Sequence, residues 1–508
     1  MWQKFTFRDL RVIVKFLGVL VTFSAGAMCV PLVVALAMRE WSSAAHYIVG
    51  IGVALCMGSL MRLAHVKKAK LTTQQALAVT GFAWLLLAVT GSVPLALSGH
   101  FGNYLDAFFE SMSSWTTTGA SLAQDVDHMS FADNTWRFTM QCIGGQGVVV
   151  IALSLGLFGR AVDSSLYESE GRSEHVIPNI MQTTRFIVKL SAVVGVAGLI
   201  VFTILCLAIG MEPVRAFFNG LWLSVASFNT GGMTSMSPGI NYYHSLAIEL
   251  VVILLAMYGS INFTLHGEIW KGHIVPFFQD IEVKTSVVWL TVATAAFVAA
   301  LCAAGAYADY PTLVRRGIFT ILAAFTSSGF QTISPNQLTT VVSSGALIII
   351  VFVMIIGGSA GSTSGGIKIL RVGVLGKEVI AYIKDLLAPP SARQVVTYYH
   401  VGRRPLAYSL VRANLAVFVL YVGAFLITTI VTVAYGYDAM PSIFESVSMV
   451  SNIGMTAGII EPDMPVVLKF VYMFDMWAGR LEWVTLIALA VSVIMSFKPR
   501  KKVKGHVY

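Results

Sequence analysis

The sequence predicts an all-α integral membrane protein of about ten transmembrane helices, in which two N-terminal helices precede four pseudo-symmetric repeats of helix, re-entrant loop and helix. Three observations carry that prediction. The 508 residues are 56% hydrophobic and only 12% charged, with a mean hydropathy of +0.76, whereas soluble domains carry about 25% charged residues. Apolar stretches of about 20 residues, the length that crosses a hydrocarbon core as a helix, recur along the whole chain. Finally, the segment FESMSSWTTTGAS at 109–121 recurs without a gap as WLSVASFNTGGMT, FTILAAFTSSGFQ and FESVSMVSNIGMT.

The basic start MWQKFTFRDLRVIVK leads into an apolar run at 16–38, which is long enough to be an uncleaved span rather than a signal peptide. A second span at 46–63 ends in Arg62, Lys67, Lys68 and Lys70, a basic run that belongs in the cytoplasm. These two helices form residues 1–70. The first repeat, 71–165, has spans at 76–97 and 138–158 around Gly119, and the second, 166–275, has spans at 186–209 and 245–265 around Gly232. The third, 276–390, sets 287–308 and 341–356 around Gly329, and the fourth, 391–508, sets 408–434 and 466–496 around Gly454. Basic residues between 368 and 412 and the tail KPRKKVKGHVY then fall on the cytoplasmic side, with both termini. Arg315 and Arg316 fall outside and run against the pattern. The net charge of +9 is thus assigned to cytoplasmic loops, not to nucleic acid. The five cysteines lie one per apolar segment with no CxxC pair, so neither a disulfide framework nor a zinc site is indicated.

Each copy of the repeated segment reads as a short helix that stops at its glycine. An aromatic residue stands ten positions before the glycine (Phe109, Trp222, Phe319, Phe444), and Thr116, Asn229, Thr326 or Ser451 stands three before it. One such copy alone would read as helix packing by small residues. Four copies, each between two spans, read otherwise, because non-helical backbone at membrane depth is tolerated only where it is buried in protein or lines a water-filled cavity. Rings of backbone carbonyls can replace the hydration shell of a cation, and glycine lets a strand turn its carbonyls inward. The half-helix C-termini would point partial negative charge at the centre, with Asp106 and Asp438 near the opposite ends and Arg215 and Arg315 breaking that pattern. The side-chain oxygens of Thr116, Asn229, Thr326 and Ser451 are expected to close the inner end.

Residues 357–366 interrupt the second span of the third repeat with five glycines and four serines or threonines. Interior glycine costs a helix roughly 1 kcal/mol relative to alanine, so a flexible, non-helical loop at mid-membrane is expected there. GSTSGGIK only superficially resembles a phosphate-binding GxxxxGK[ST]: Ile367 precedes Lys368, and Ile369 stands where a hydroxyl is needed. Arg480 lies on the order of 21 Å into the last span at 1.5 Å per residue. A charge at that depth costs at least about 2.5 kcal/mol and turns toward a partner or a cavity. Glu482, two residues on, projects to a different side of the helix.

On these residues the sequence resembles the Trk/Ktr/HKT superfamily of potassium transporters, and within it the TrkH-type uptake subunits of bacteria. The resemblance covers nearly the whole chain. Its most specific marks are the four glycine-centred segments, GGSAGSTSGGIK at 357–368, AGRLEW at 478–483 and the extra N-terminal pair of spans. It implies potassium as the transported ion, with no organic cofactor on this chain. The implied selectivity filter comprises Thr116, Thr117, Thr118 and Gly119; Asn229, Thr230, Gly231 and Gly232; Thr326, Ser327, Ser328 and Gly329; and Ser451, Asn452, Ile453 and Gly454. Beneath it the resemblance implies a gate of Gly357, Gly358, Gly361, Gly365, Gly366 and Lys368, with Arg480 against the pore. It further implies a bacterial inner-membrane location, a homodimer with one pore per subunit, and cytosolic TrkA-type regulatory subunits that bind nucleotides.

Glycine at all four filter positions implies a preference for potassium over sodium. Gly231 and Ile453, standing where the other copies have Thr118 and Ser328, imply weaker discrimination than in a strictly fourfold channel. The main rival is a secondary carrier with broken helices at the midplane, which usually shows two repeats rather than four in one orientation. An intramembrane enzyme finds no Ser/His, paired-Asp or His-cluster arrangement among the spans.

Overall fold

The computed structural model describes residues 5–64, 71–154, 180–389 and 396–497. Lys67, Lys68 and Lys70 and the tail from 498 onward lie outside the described residues. Among the described residues, six unbroken helices are long and apolar enough to cross a membrane: Phe7–Met38, Trp41–Arg62, Thr73–Leu97, Ile180–Ala208, Ile281–Ala303 and Tyr408–Ala434. The last four open the four repeats. Their exposed faces are rows of valine, leucine and isoleucine, such as Val196, Ile200 and Ile204 or Leu426, Ile427 and Ile430, as expected for helices that meet lipid.

Local chemistry explains where these helices begin and how they dock. Thr6 caps the first helix in a reciprocal box with Asp9, and Thr72 does the same with Gln75 for the third. Gly18 and Gly58 let the N-terminal pair cross closely, since a β-carbon on either would reach the other's backbone carbonyl at about 3 Å. The pair is joined to the first repeat by polar groups. Glu40 accepts from the Phe131 and Ala132 amides at 2.8 and 3.0 Å, two donors left over at the start of helix Phe131–Gln146, and the Tyr47 hydroxyl donates to Asp133 at 2.7 Å.

The second span is interrupted in every repeat, as expected only in the third. Uninterrupted spans at 138–158, 245–265 and 466–496 are corrected to broken ones: Phe131–Gln146 with Val148–Ser154, Leu246–Gly259 with Phe263–Trp270, and Val466–Leu481 with Trp483–Phe497. The second and third of these pairs bend by 97° and 104°. In the third repeat the break widens into the glycine-rich loop after Ser344–Ile355. Gly147, Ser260, Gly357 and Glu482 each stand 28 positions after the glycine of their own repeat, so one interruption is repeated four times and enlarged once. Each break has a local cause. Gly147 takes φ 91°, Asn262 starts a new helix by accepting from the Thr264 amide at 2.7 Å, and Glu482 at φ 60° is drawn aside into an ion pair with Arg371 at 2.6 Å.

The short strands Ile356–Gly357 and Ile367–Lys368 pair in parallel and close the base of the loop. A hairpin of Thr397–Tyr399 and Arg403–Pro405 joins helices Ile369–Leu387 and Tyr408–Ala434. Neither strand pair was expected.

Candidate ion path

Four half-helices, Tyr104–Trp115, Pro213–Phe228, Tyr310–Phe325 and Ala439–Val450, end at equivalent residues. Thr116, Asn229, Thr326 and Ser451 are their C-caps. The next residue in each, Thr117, Thr230, Ser327 or Asn452, takes a left-handed φ of 50° to 58°. Behind it the same pair of bonds recurs: Thr117 and Thr118 donate to the Ser114 and Ser113 carbonyls, and the equivalent residues repeat the pattern in all four units. This is a Schellman ending, built four times without glycine at the left-handed position. The cap residues turn back on their own helices. Thr116 Oγ1 donates to Met112 O at 2.8 Å, Asn229 Nδ2 to Val225 O at 3.0 Å and Thr326 Oγ1 to Leu322 O at 2.9 Å, while the Ser451 hydroxyl bonds to the Tyr421 hydroxyl. Their first duty is to end the helix, and only oxygen lone pairs remain for an ion.

The four segments then meet in a closed ring. A β-carbon on Gly119 would run into the carbonyl of Gly231, one on Gly232 into that of Ser328, one on Gly329 into that of Ile453, and one on Gly454 into that of Thr118. All four approaches fall well under the 3.0 Å that real β-carbons respect. Each glycine therefore abuts the carbonyl just before the next glycine, and the fourth repeat returns to the first. All four glycines also have positive φ, from 67° to 88°, which is strained for any other residue. Outside the ring is a cavity of about 270 Å³ lined by Gly119, Gly232, Gly329 and Gly454.

Charged side chains that the sequence reading did not single out brace the outer loops. Fully buried Glu110 and Arg137 pair at 2.7 Å. Glu110 also accepts from the Leu122 amide at 3.1 Å, and Arg137 reaches the Thr234 carbonyl of the second repeat at 3.1 Å. At the matching position of the fourth repeat, Glu445 accepts from the Ala457 and Ile459 amides at 2.8 and 3.2 Å. Both glutamates stand nine positions before their glycine, a shared spacing that marks them as equivalent. The two arginines that ran against the charge pattern are also accounted for. Arg315 is held by Glu249 at 2.6 and 2.7 Å, and Arg316 lies 5.0 Å over the Tyr307 ring.

The glycine-rich loop lies directly under the ring and is packed closely rather than loosely. A β-carbon on Gly365 would strike the Ser451 carbonyl, and one on Gly357 the Gly365 carbonyl. These two glycines therefore serve close approach, whereas Gly361 has no such neighbour and takes φ 63°. Thr363 Oγ1 donates to the carbonyls of Phe228 at 3.2 Å and Gly259 at 2.9 Å, and the Ala360 amide donates to Glu282 at 2.7 Å. Lys368 Nζ bonds to the Ser364 carbonyl, while Arg480 donates to Thr363 O at 3.1 Å, Gly144 O at 2.5 Å and Gly145 O at 3.1 Å. Lys368 and Arg480 line a cavity of about 60 Å³ together with Gly361, Gly365, Gly366 and Asn452. Gly358 faces Ser260 at the loop's edge. Glu482 is paired with Arg371, not with Arg480.

This geometry has counterparts in known proteins. The profile of the TrkH family, described as cation transport proteins, matches residues 45–498. A cation transporter of Methanocaldococcus jannaschii is 30% identical over 486 residues, covering 96% of each chain. The Trk system potassium uptake protein TrkH of Halomonas elongata is 26% identical, over 95% of this chain and 98% of its own, and that of Escherichia coli K12 is 25% identical over 94% and 98%. The crystal structure of the potassium transporter TrkH from Vibrio parahaemolyticus superposes with a TM-score of 0.81 at 22% identity, covering 97% of this chain and all of that one. With four re-entrant repeats closed into a ring and a profile match over most of its length, this chain belongs to the TrkH family of cation transport proteins.

Proposed function

We propose that this protein takes up potassium through a selectivity filter formed by its four repeats. The supporting observation is the cyclic packing of Gly119, Gly232, Gly329 and Gly454, each against the carbonyl before the next. Four carbonyl-bearing segments around one axis are the chemistry that replaces a cation's water, and relatives that match 94–95% of the chain are potassium uptake proteins. Residues 116–119, 229–232, 326–329 and 451–454 are the ion-binding set. Residues 357–366, with Lys368 and Arg480, are the gate: both cations line the small cavity beneath the ring, where the one carboxylate among the described residues, Glu482, is paired with Arg371, and the loop's packing leaves little room for an ion. Release requires the loop to move, and a cytosolic TrkA-type subunit that binds nucleotides is the proposed agent. The subunits pair as a homodimer in the bacterial inner membrane, with both termini in the cytoplasm.

The test is ion flux into liposomes containing only the purified protein, with potassium, rubidium and sodium compared at several voltages. Potassium-selective, voltage-driven current supports a filter. Flux that saturates and follows a proton or sodium gradient would instead identify a secondary carrier.

A further inference from the structure

The second repeat departs from the others just before its ring glycine, with Gly231 where they carry Thr118, Ser328 and Ile453. Backbone conformation does not require this glycine, because Gly231 is absent from the positions with positive φ. Space requires it. A β-carbon there would fall 2.6 to 2.8 Å from the carboxamide atoms of Gln141. Gln141 belongs to helix Phe131–Gln146 of the first repeat, is fully buried, and donates from Nε2 to the Gly231 carbonyl at 2.7 Å. That carbonyl is the one against which Gly119 packs. A side chain of the first repeat has therefore taken the place of one missing from the second.

Filling space does not explain why the residue is glutamine. Among the described residues Gln141 Oε1 is buried with no hydrogen-bond partner, a costly arrangement that leucine or methionine would avoid. At the same count past their own glycines the other repeats carry Leu254, Val351 and Met476. What glutamine adds is a donor, and the donor meets a carbonyl of the ring. The same oxygen also accepts from the Met233 amide of its own repeat at 3.0 Å, so Nε2–H is a second donor, from the neighbouring repeat, on an oxygen with two lone pairs, and together the two donors fix its direction.

We propose that Gln141 is a positioning residue of the ring: it holds the Gly231 carbonyl and so sets how the second wall of the ring discriminates among cations. The proposal rests on the reading of the ring as a selectivity filter. Gln141→Leu keeps the bulk and removes the donor. In proteoliposomes its sodium-to-potassium permeability ratio, read from reversal potentials, should rise roughly fivefold, the effect of one hydrogen bond of typical strength. A complementary pair probes the space. Gly231→Ser alone should lose selective flux because its β-carbon meets Gln141, whereas Gln141→Ala/Gly231→Ser, which rebuilds the second wall like the first and third, should be more selective than Gln141→Ala.

A folded Gln141→Leu protein with the wild-type ratio overturns the proposal. If that variant does not fold, Gln141→Ala decides by the same ratio. Should the wild-type protein itself show no potassium preference, the filter reading fails first. A selective wild type with indifferent Gln141 variants removes only the role of Gln141.

Discussion

Arg480 holds the Thr363 carbonyl at 3.1 Å with one guanidinium nitrogen while the other reaches the Gly144 and Gly145 carbonyls at 2.5 and 3.1 Å. The glycine-rich loop of the third repeat is thereby tied to the broken second span of the first, across the space beneath the ring. Charge-assisted hydrogen bonds are worth about 1.5–3 kcal/mol each. Loss of the tie to Thr363 is therefore expected to shift the loop toward release by on the order of tenfold to a hundredfold. Arg480→Ala should leak potassium in liposomes without any regulatory subunit. Arg480→Lys, which keeps the charge but not the planar fork, should leak less. An unchanged basal flux in both would return Arg480 to a purely structural role.

The ring makes a sharper prediction for its glycines. Gly119→Ser combines a β-carbon aimed at the Gly231 carbonyl with a φ of 88°, so a carbonyl of the ring must move. Relative sodium permeability should rise, and the folded fraction should fall modestly. Gly26→Ala is the matched control, because nothing lies within 4 Å of its β-carbon and alanine favours a helix by roughly 0.5–1 kcal/mol. The same reversal-potential measurement on both variants separates damage to the ring from the general effect of replacing glycine.

The ring was legible in the sequence because its residues sit in one ungapped register, and a register survives without any knowledge of contacts. The same register reaches further than expected. Counting 28 positions past each glycine finds Gly147, Ser260, Gly357 and Glu482, yet only the third break was anticipated, because only there do glycines accumulate. Serine and glutamate interrupt a helix through what they bond to, as Glu482 does through Arg371, and composition does not report partners. Gln141 was missed for the same reason: it acts on a repeat other than its own, across 90 positions of chain. The cap residues stand out as a set in the register, whereas their bonds back to the half-helix carbonyls depend on distances that spacing does not report.

The loop has a second anchor, far from Arg480. Glu282 Oε1 accepts from the Ala360 amide at 2.7 Å, and Glu282 lies in the first turn of helix Ile281–Ala303, which Asp280 caps by accepting from the Glu282 amide at 2.9 Å. Asp280 in turn lies 3.1 Å from His400 Nδ1 and accepts from the Val401 amide at 3.0 Å, so the hairpin after helix Ile369–Leu387 is linked to the loop through two carboxylates. Removing the acceptor leaves a half-buried amide unsatisfied, at a cost of at most about 1–3 kcal/mol, borne by the packed state of the loop. Glu282→Ala should therefore raise basal potassium flux severalfold, and Glu282→Gln, which keeps an acceptor oxygen, should remain near wild type. Equal flux in the two variants would detach Glu282 from gating.

Shortening the loop tests its role as a barrier without touching either anchor. Residues Gly361 and Ser362 lie between the points held by Ala360 and Thr363, and both line the small cavity under the ring. Deleting them should open that cavity and raise flux in the absence of any partner. The ring above is built from other segments, so potassium preference should persist. A folded deletion variant with unaltered flux would mean that the path runs elsewhere.

The buried pair of Glu110 and Arg137 separates stability from selectivity. Both side chains are essentially inaccessible and 2.7 Å apart, and removing one partner of such a pair typically costs about 3–5 kcal/mol because the other charge is left uncompensated. Arg137→Met should therefore lower the thermal unfolding midpoint in detergent markedly. Glu110→Gln/Arg137→Met should recover most of the loss, because the neutral amide oxygen can still accept from the Leu122 amide that Glu110 now holds at 3.1 Å. The fourth repeat shows that this arrangement is viable in part, since Glu445 braces its own loop through the Ala457 and Ile459 amides with no arginine bonded to it among the described residues. If the double variant is as unstable as Arg137→Met alone, the guanidinium's bond to the Thr234 carbonyl at 3.1 Å carries the stabilisation, and Arg137 acts as a strut between the first two repeats rather than as a counter-ion.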